Sequence, residues 1–368
     1  MDSLTLFRFR FTAPLHIANV RSDFDRSEKT VRSDSLYAAI IQAWSVLGIE
    51  HPILSNQDEN AIPPLGFTLS SLFPYFQADE TSTPLLFFPK PKGTLQAQSY
   101  EGHKDLKKVG YIEQTSFVQL LQQGDLPSAP NNYQGIYYLG EKAACFLDQE
   151  GKSEEKFIDT QVVPRVYVPR YGETDGEGKA KTDTDIFYME RVYFKKHSGL
   201  FCLAQFDDTD IQNKVLAALH YLQDEGLGSD RHVGNGSFEL HYSPFRGFEQ
   251  LSSNGSEYAV NLSLFCPEDS TTLETMLGDN DDKCAYEMTK RGGWITDDGY
   301  LSYRKNSVYM FNEGSIFKTT NNIQGKVLNL RPKIHGLRLQ NLIYRVGQSL
   351  FVPICFSSQP TSTPNSTS

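Results

Sequence analysis

Pro14-Leu15-His16-Ile17 places one histidine in an apolar tetrapeptide near the start of this 368-residue sequence. Such a side chain can act as a general acid at neutral pH, for instance in metal-free RNA cleavage through attack by a 2′-hydroxyl. That reaction wants a second base or a transition-state cation within reach, and nearby the sequence offers only Arg21 and Lys29. A satisfied structural histidine explains His16 as well.

A second stretch, GLGSDRHVGNGSF (226–238), brings Gly226, Gly228, Gly234 and Gly236 together with Arg231 and His232. A dinucleotide-binding GxGxxG must follow a strand and open a helix, so that a pyrophosphate meets helical amides. Here a helical pattern precedes the loop and a strand pattern follows it, and there is no GxxxxGK[ST]. A nucleotide cofactor is therefore excluded as the reading. What remains is a loop whose amides can approach a phosphate without side-chain obstruction, with Arg231 and His232 at its crest. A purely structural turn explains the glycines equally well and Arg231 less well.

Cations with phosphate-gripping potential recur elsewhere. Arg32 and Ser33 open a helix, whose free amides and capping hydroxyl make an anion site, although a plain helix cap needs the same residues. Lys90 and Lys92 sit in FPKPKG, held extended by prolines. Arg165 and Arg170 alternate with valines beside Tyr167 and Tyr171, rings that could stack on splayed bases or fill a core. Arg291 begins a second glycine turn, Arg-Gly-Gly-Trp, with Arg304, Lys305, Arg338 and Arg345 around it. Asp207, Asp208 and Asp210 read as helix caps, while Asp279, Asp281 and Asp282 lack the closing Glu of a calcium loop. No metal site or cofactor is expected.

The bulk numbers bound these readings. A net charge of −10 argues against non-specific coating of nucleic acid, which depends on phosphate neutralisation. The distribution is uneven, with ten Lys/Arg against four Asp/Glu from Tyr286 to Val346, and six acids and no base from Pro267 to Asp282. The basic segment could grip a polyanion, or the runs could serve solubility. Five scattered cysteines (Cys145, Cys202, Cys266, Cys284, Cys355) with no CxxC pair read as reduced thiols in or near the core. No apolar run approaches the roughly 20 residues that span a bilayer, and MDSLTLFRFRF alternates like a strand, so a cytoplasmic protein is expected.

The elements that must position these residues follow from periodicity. Residues 3 to 12 alternate, with Phe7, Phe9 and Phe11 on one face and Leu6, Arg8 and Arg10 on the other. A helix is expected from Ser33, capped by Ser33 or Asp34, to Leu47, with Leu36, Ile40, Ala43 and Leu47 as its apolar stripe. LSSLFPYF, LLFFPKPKG and a short helix TSFVQLLQQG look like insertions over a sheet. QVVPRVYVPR and IFYMERVYFKK flank a polar tip and predict a projecting hairpin over about 162–196. A strand from Gly199 to Phe206, a helix from Asp208 to Gln223 ended by Gly226, and the strand SFELHY complete a ferredoxin-like order. From about Ser243 the pattern restarts. The expected fold is α+β, with two ferredoxin-like domains (1–242 with insertions and the hairpin, 243–356 degenerate) and a disordered tail, 357–368.

The loop GLGSDRHVGNGSF between helix and strand resembles the glycine-rich loop of the RAMP superfamily of CRISPR RNA-binding proteins. PLHIAN, SDSLYAAI, LSSLFPY, FFPKP, VPRVYVPR, KRGGWI, RKNSVYMFNEGSIF and YRVGQSLFVPI, in that order from about residue 4 to 355, are similar to the fourth-subunit branch of type III-A (Csm) effector complexes, in the Cas-five-like group. One departure is Asn341, where the family tends to carry a histidine. The resemblance implies a non-catalytic subunit that binds the 5′ repeat-derived handle of the CRISPR RNA and caps the complex. Its partners would be the large palm-domain subunit, which cuts DNA and makes cyclic oligoadenylates, and the first backbone RAMP subunit; no membrane is involved. RNA-contacting residues on this reading are His16, Arg32, Ser33, Lys90, Lys92, Arg165, Arg170, Gly228, Arg231, His232, Gly234, Gly236, Arg291, Lys305 and Arg345. The hairpin would be the thumb. The rival is a metal-independent CRISPR RNA-processing endoribonuclease using His16, since some RAMP relatives use a histidine in this part of the fold. A third reading is a protein-only interaction module whose basic patch meets an acidic partner.

Overall fold

The alternation near the N-terminus forms β1 (Leu4–Phe11), an interior strand of the main sheet. The structure, a computed structural model, describes residues 3–18, 24–93, 107–124, 133–134, 136–139, 157–169, 184–195, 197–251, 256–278, 281–295, 303–319, 323, 325–333 and 342–356. Arg21, Cys145, Arg170, Tyr171, Asp279, Arg338, Asn341, the hairpin tip and the 357–368 tail lie outside the described residues.

After β1 come α1 (Ser33–Leu47), the single turn α2 (Pro52–Ser55), β2 (Phe67–Leu69), β3 (Phe73–Phe76), β4 (Leu85–Pro89), β5 (Tyr111–Glu113) and α3 (Gln114–Gln123). The chain continues through β6 (Tyr133–Gln134), β7 (Tyr137–Tyr138), β8 (Ile158–Tyr167), β9 (Asp185–Phe194), β10 (Gly199–Phe206), α4 (Thr209–Glu225) and β11 (Phe238–Phe245). β1 pairs antiparallel with β11 on one side and β10 on the other, β10 pairs with β3, and β4, β5, β7 and β6 extend the sheet.

Because successive β1 side chains point to opposite faces, the strand feeds two cores. Phe7, Phe9 and Phe11 pack with Leu36, Tyr37 and Ile40 of α1 and with Val215, Leu219 and Leu222 of α4. Leu4 and Leu6 face a second core that includes Phe117 of α3. Full burial of side chains this size contributes about 1.5–3 kcal/mol each, so the sheet is held from both sides. The expected helices form at nearly their expected bounds. Leu47, the last residue of the α1 stripe, instead stays 43% exposed, past the stacked Trp44 and His51 rings that end the covered face.

The C-terminal segment adds β12 (Tyr258–Asn261), α5 (Ser270–Leu277), β13 (Met288–Arg291), β14 (Val308–Phe311), β15 (Ile316–Lys318), β16 (Val327–Asn329), β17 (Tyr344–Val346) and β18 (Phe351–Ile354). The restarted pattern predicts a second, less regular ferredoxin-like domain, and among the described residues its strands divide. β15, β12 and β18 form one sheet, while β13–β14 and β16–β17 are separate two-stranded ladders. YAVNLSLF leaves the ladder at Asn261, whose Nδ2 donates to Ser263 O at 2.8 Å while Ser263 Oγ donates to Leu69 O at 2.7 Å. Side chains that bond locally compete with strand pairing, and here they turn the chain onto the N-terminal sheet. Val260 and Val352 then join the core of Leu4 and Leu6, and Val346 joins that of Phe7.

β8 and β9 pair along all ten residues of each, from Ile158↔Phe194 to Tyr167↔Asp185. Val162, Val166, Ile186 and Tyr188 on this ribbon are exposed. Cys202 and Cys266 are buried as expected, whereas Cys355 is exposed. Among the described residues no helix is long and apolar enough to cross a membrane, and no group of three or more His, Cys, Asp or Glu could hold a metal.

Candidate nucleic-acid interface

The glycine loop leaves α4 and packs against the segment that follows β1. Gly226 N–H donates to Leu222 O, Leu227 N–H to Gly236 O, Ser229 N–H to His16 O and Gly236 N–H to Pro14 O, all at 2.8–3.0 Å. Close backbone approach is what the glycines permit. A Cβ on Gly228 would lie 2.5 Å from His16 O, and one on Gly236 would lie 1.9 Å from Leu227 O. Gly234 differs, since a Cβ there would meet nothing within 4 Å. Three of the four glycines therefore hold loop and chain together, and Gly234 alone faces open space.

Arg231 to Val233 form one 3₁₀ turn at the crest. Just before it Asp230 adopts φ 62°, and its carboxylate gathers three partners. Arg165 Nη2 lies 3.2 Å away, Asn235 Nδ2 donates at 3.2 Å, and His232 Nε2 is at 3.4 Å. Arg165, at the root of the hairpin, thus staples β8 to the glycine loop. Arg231 pairs with Glu225 at 3.4 Å on the partly exposed rim, and His232 is 78% exposed.

His16 lies beneath this face, fully buried, with Nδ1 donating to Glu190 O at 2.7 Å. That bond leaves the lone pair on Nε2, which is also buried and has no partner. A histidine closed off in this way does not meet an RNA phosphate or hydroxyl, so the expected RNA contact and the general-acid role of His16 are not what the fold provides.

A second cluster surrounds the N-terminus of α1. The expected cap is absent there. Arg32 is the N-cap residue and no side chain caps the helix; Ser33 Oγ accepts from Leu264 N at 3.0 Å, and Ser33 N–H donates to Ser71 Oγ. Asp34, with no side-chain exposure, takes a bidentate pair from Arg291 (Nε to Oδ2 2.9 Å, Nη2 to Oδ1 3.0 Å) and a third bond from Arg345 Nη1. Burial alone would raise the Asp34 carboxyl, but the two guanidiniums outweigh it and hold it below its ordinary value. Arg32 pairs with Glu28 at 3.2 Å and Glu313 at 3.1 Å. Ser33 and Arg345, expected on a phosphate-gripping surface, are instead buried in this network, and Arg291 is largely engaged by it. Lys305 stands beside the two arginines.

Lys90 and Lys92 lie near the same cluster. Lys92 N–H donates to Gly314 O, next to Glu313, and its Nζ pairs with Glu287 at 2.5 Å. Burial, then repulsion from Lys92, pulls the Lys90 ammonium below its usual range. The expected cations thus collect in two groups, one at the loop and hairpin root and one at the α1 N-terminus. The organising carboxylates, Asp230, Asp34 and Glu313, are what reading the sequence missed. A signal for Asp34 was present in Arg345, an arginine within the otherwise apolar LIYRV, since a buried cation needs a counter-charge.

Residues 254–354 match the family model described as the CRISPR Csm4 C-terminal domain. The chain is 25% identical over 313 residues to the Csm4 protein of Streptococcus thermophilus, covering 84% of this chain and 87% of that one. It is 23% identical over 298 residues to Csm4 of Thermococcus onnurineus strain NA1, covering 78% and 81%. Its fold is similar to that in a Csm3–Csm4 subcomplex of the type III-A interference complex (TM-score 0.62, 18% identity, 96% of this chain and 99% of that chain). A Csm1–Csm4 cassette in complex with cA4 is also similar (TM-score 0.53, 18% identity, 97% and 100%). The matched C-terminal domain, the relatives of similar length and the ordered motifs from PLHI to YRVGQSLFVPI together make the chain similar, from end to end, to the Csm4 proteins of type III-A CRISPR systems.

Proposed function

We propose that the chain is a non-catalytic scaffold subunit of a type III-A effector that binds the 5′ repeat-derived handle of the CRISPR RNA and caps the assembly. The observation that carries this reading is the likeness along nearly the whole chain to the fold seen in the Csm3–Csm4 subcomplex and the Csm1–Csm4 cassette. Its partners are then a backbone subunit of the Csm3 kind and a large subunit of the Csm1 kind. On the same reading the strand order β11-β1-β10-β3, with α1 and α4 on one face, is a ferredoxin-like unit. Residues 243–356 are a reduced second unit, and β8–β9 is the thumb.

The face formed by the glycine loop, the segment after β1 and the hairpin root suits a single RNA strand. Arg231, His232 and the open Gly234 supply donors for phosphates, which position the chain without reading its sequence. The exposed Tyr188 on β9 can stack on a splayed base. Because the protein carries −10 overall, affinity comes from these local cations and falls with salt.

Coexpression with Csm1-type and Csm3-type subunits and CRISPR RNA should yield a complex that protects the 5′ handle from nuclease. Changing Arg231 and His232 together to Ala should weaken handle binding about tenfold, since losing one or two charge-assisted bonds is worth roughly 1.4 kcal/mol. Unchanged protection would overturn the placement of the RNA on this face. Repeat RNA incubated with the protein in EDTA should stay intact, and cleavage abolished by His16→Ala would overturn the scaffold reading.

A further inference from the structure

Around the N-terminus of α1, positive charge exceeds negative among the described residues. Arg32 is already matched by Glu28 and Glu313. Among the described residues that leaves Arg291, Arg345 and Lys305 to share the single carboxylate of Asp34. The Arg345 side chain is 8% exposed, yet its Nε has no hydrogen-bond partner. Arg291 spends Nε and Nη2 on Asp34, leaving Nη1 outside that pair. Among the described residues the Lys305 ammonium has neither an ion pair nor a hydrogen bond. Desolvating cations without counter-charges is unfavourable, so the fold maintains a site that a further anion would complete.

The surroundings suit that anion. Gly292 and Gly293 are exposed, and Gly292 O holds Arg345 Nη2 at 2.6 Å. A Cβ on Gly293 would lie 3.1 Å from Lys305 Cε, so the glycine leaves the lysine stem its room. Next to it the Arg304 guanidinium lies 4.9 Å from the centre of the Trp294 ring, a cation–π contact that a nucleobase can extend. We propose that Lys305 and Arg291 Nη1 form a receptor for one phosphodiester of the bound RNA, with Asp34 holding the Arg291 guanidinium in place and the buried Arg345 adding positive charge from behind. The proposal rests on the RNA-binding reading given above. The adjoining aromatic stack favours a nucleotide over an acidic peptide.

The site carries a pH signature. Burial, then the charge of Arg345, with Asp34 partly offsetting and Arg291 adding, pulls Lys305 down to about 8. An anion prefers the protonated lysine, so binding is full below that pH and declines as pH rises through it.

Binding of a fluorescent oligonucleotide bearing the repeat-derived 5′ handle tests this with the full-length protein. From pH 7 to 9 the wild-type affinity should fall about three- to tenfold, as one favourable charge is lost. Lys305→Gln should weaken binding at pH 7 and lower the slope of log affinity against log salt by about one. Lys305→Arg, charged at every pH used, should retain the affinity and lose the pH dependence. Lys305→Gln removes a half-buried charge held among like charges, so its thermal midpoint should not fall. A wild-type salt slope in Lys305→Gln, or an undiminished pH dependence in Lys305→Arg, overturns the receptor while leaving the RNA-binding reading intact. Absence of RNA binding by the wild type overturns both. If Lys305→Gln binds RNA normally but fails to copurify with a partner subunit, the pocket takes a protein carboxylate and the phosphodiester assignment is wrong.

Discussion

Asp34→Asn should be among the most destabilising single substitutions in the chain, costing about 3–5 kcal/mol, because removing one partner of a buried ion pair strands the other. Here it strands two guanidiniums, Arg291 and Arg345, in a site where Asp34 has no side-chain exposure. The amide keeps the volume of the carboxylate, so packing is preserved and the loss reports charge. The bonds also join the beginning of α1 to β13 and β17, spanning sequence separations of 257 and 311. The damage should therefore reach the docking of the C-terminal strands and not only the end of one helix. The pH dependence has a defined sign. The folded carboxyl lies below its ordinary value of 3.8, so its contribution is present above that pH and is lost as pH falls through the folded value. Chemical denaturation at pH 7 measures the loss. A change under about 1 kcal/mol, the range of exposed pairs, would mean that water reaches the site and that Asp34 does not bind the two segments together.

The same residue marks where the sequence stops being legible. The helix at Ser33–Leu47 follows from the spacing of Leu36, Ile40 and Ala43, and it forms over those residues. An aspartate in the first turn reads as a cap, because capping is a local interaction and the local pattern is all that periodicity samples. Partners more than 250 residues away cannot be inferred from it. β10 and α4 were legible for the same local reason, through strict patterns ended by Gly226. The C-terminal strands were legible one by one, but their division into three ladders was not. That division depends on Asn261 and Ser263 bonding out of the strand, which short apolar alternation does not reveal. In the glycine loop the order helix, loop, strand excluded a dinucleotide. It did not show that Asp230 and Arg165 tie the loop to the hairpin.

Gly236→Ala should have the other large effect, and a contrast with Gly234→Ala gives it meaning. Both glycines have a left-handed φ, 80° and 84°, so in each case an alanine bears the cost of a conformation that L residues avoid, about 1–2 kcal/mol. Only at Gly236 is there also no room. Its new Cβ would lie 1.9 Å from Leu227 O and 2.8 Å from Leu227 N, backbone atoms that cannot swing away as a flexible side chain would. Relief requires giving up the Leu227 N–H bond to Gly236 O, and with it the contact that seats the loop against Pro14. With a buried backbone pair lost as well, the total should reach about 3–5 kcal/mol. Gly234→Ala should stay near the conformational cost alone. Thermal melts of the two variants separate packing from conformation, and equal losses would sink the close-approach account. Handle binding then asks a different question of the milder variant. If the open face at Gly234 admits a phosphate to the loop amides, Gly234→Ala should remain folded yet bind the handle oligonucleotide several-fold more weakly, because its methyl group stands where the phosphate would approach. If affinity is unchanged in a folded Gly234→Ala protein, the loop glycines serve the join between α4, β11 and the Pro14 segment. The RNA is then held by the side chains at the crest.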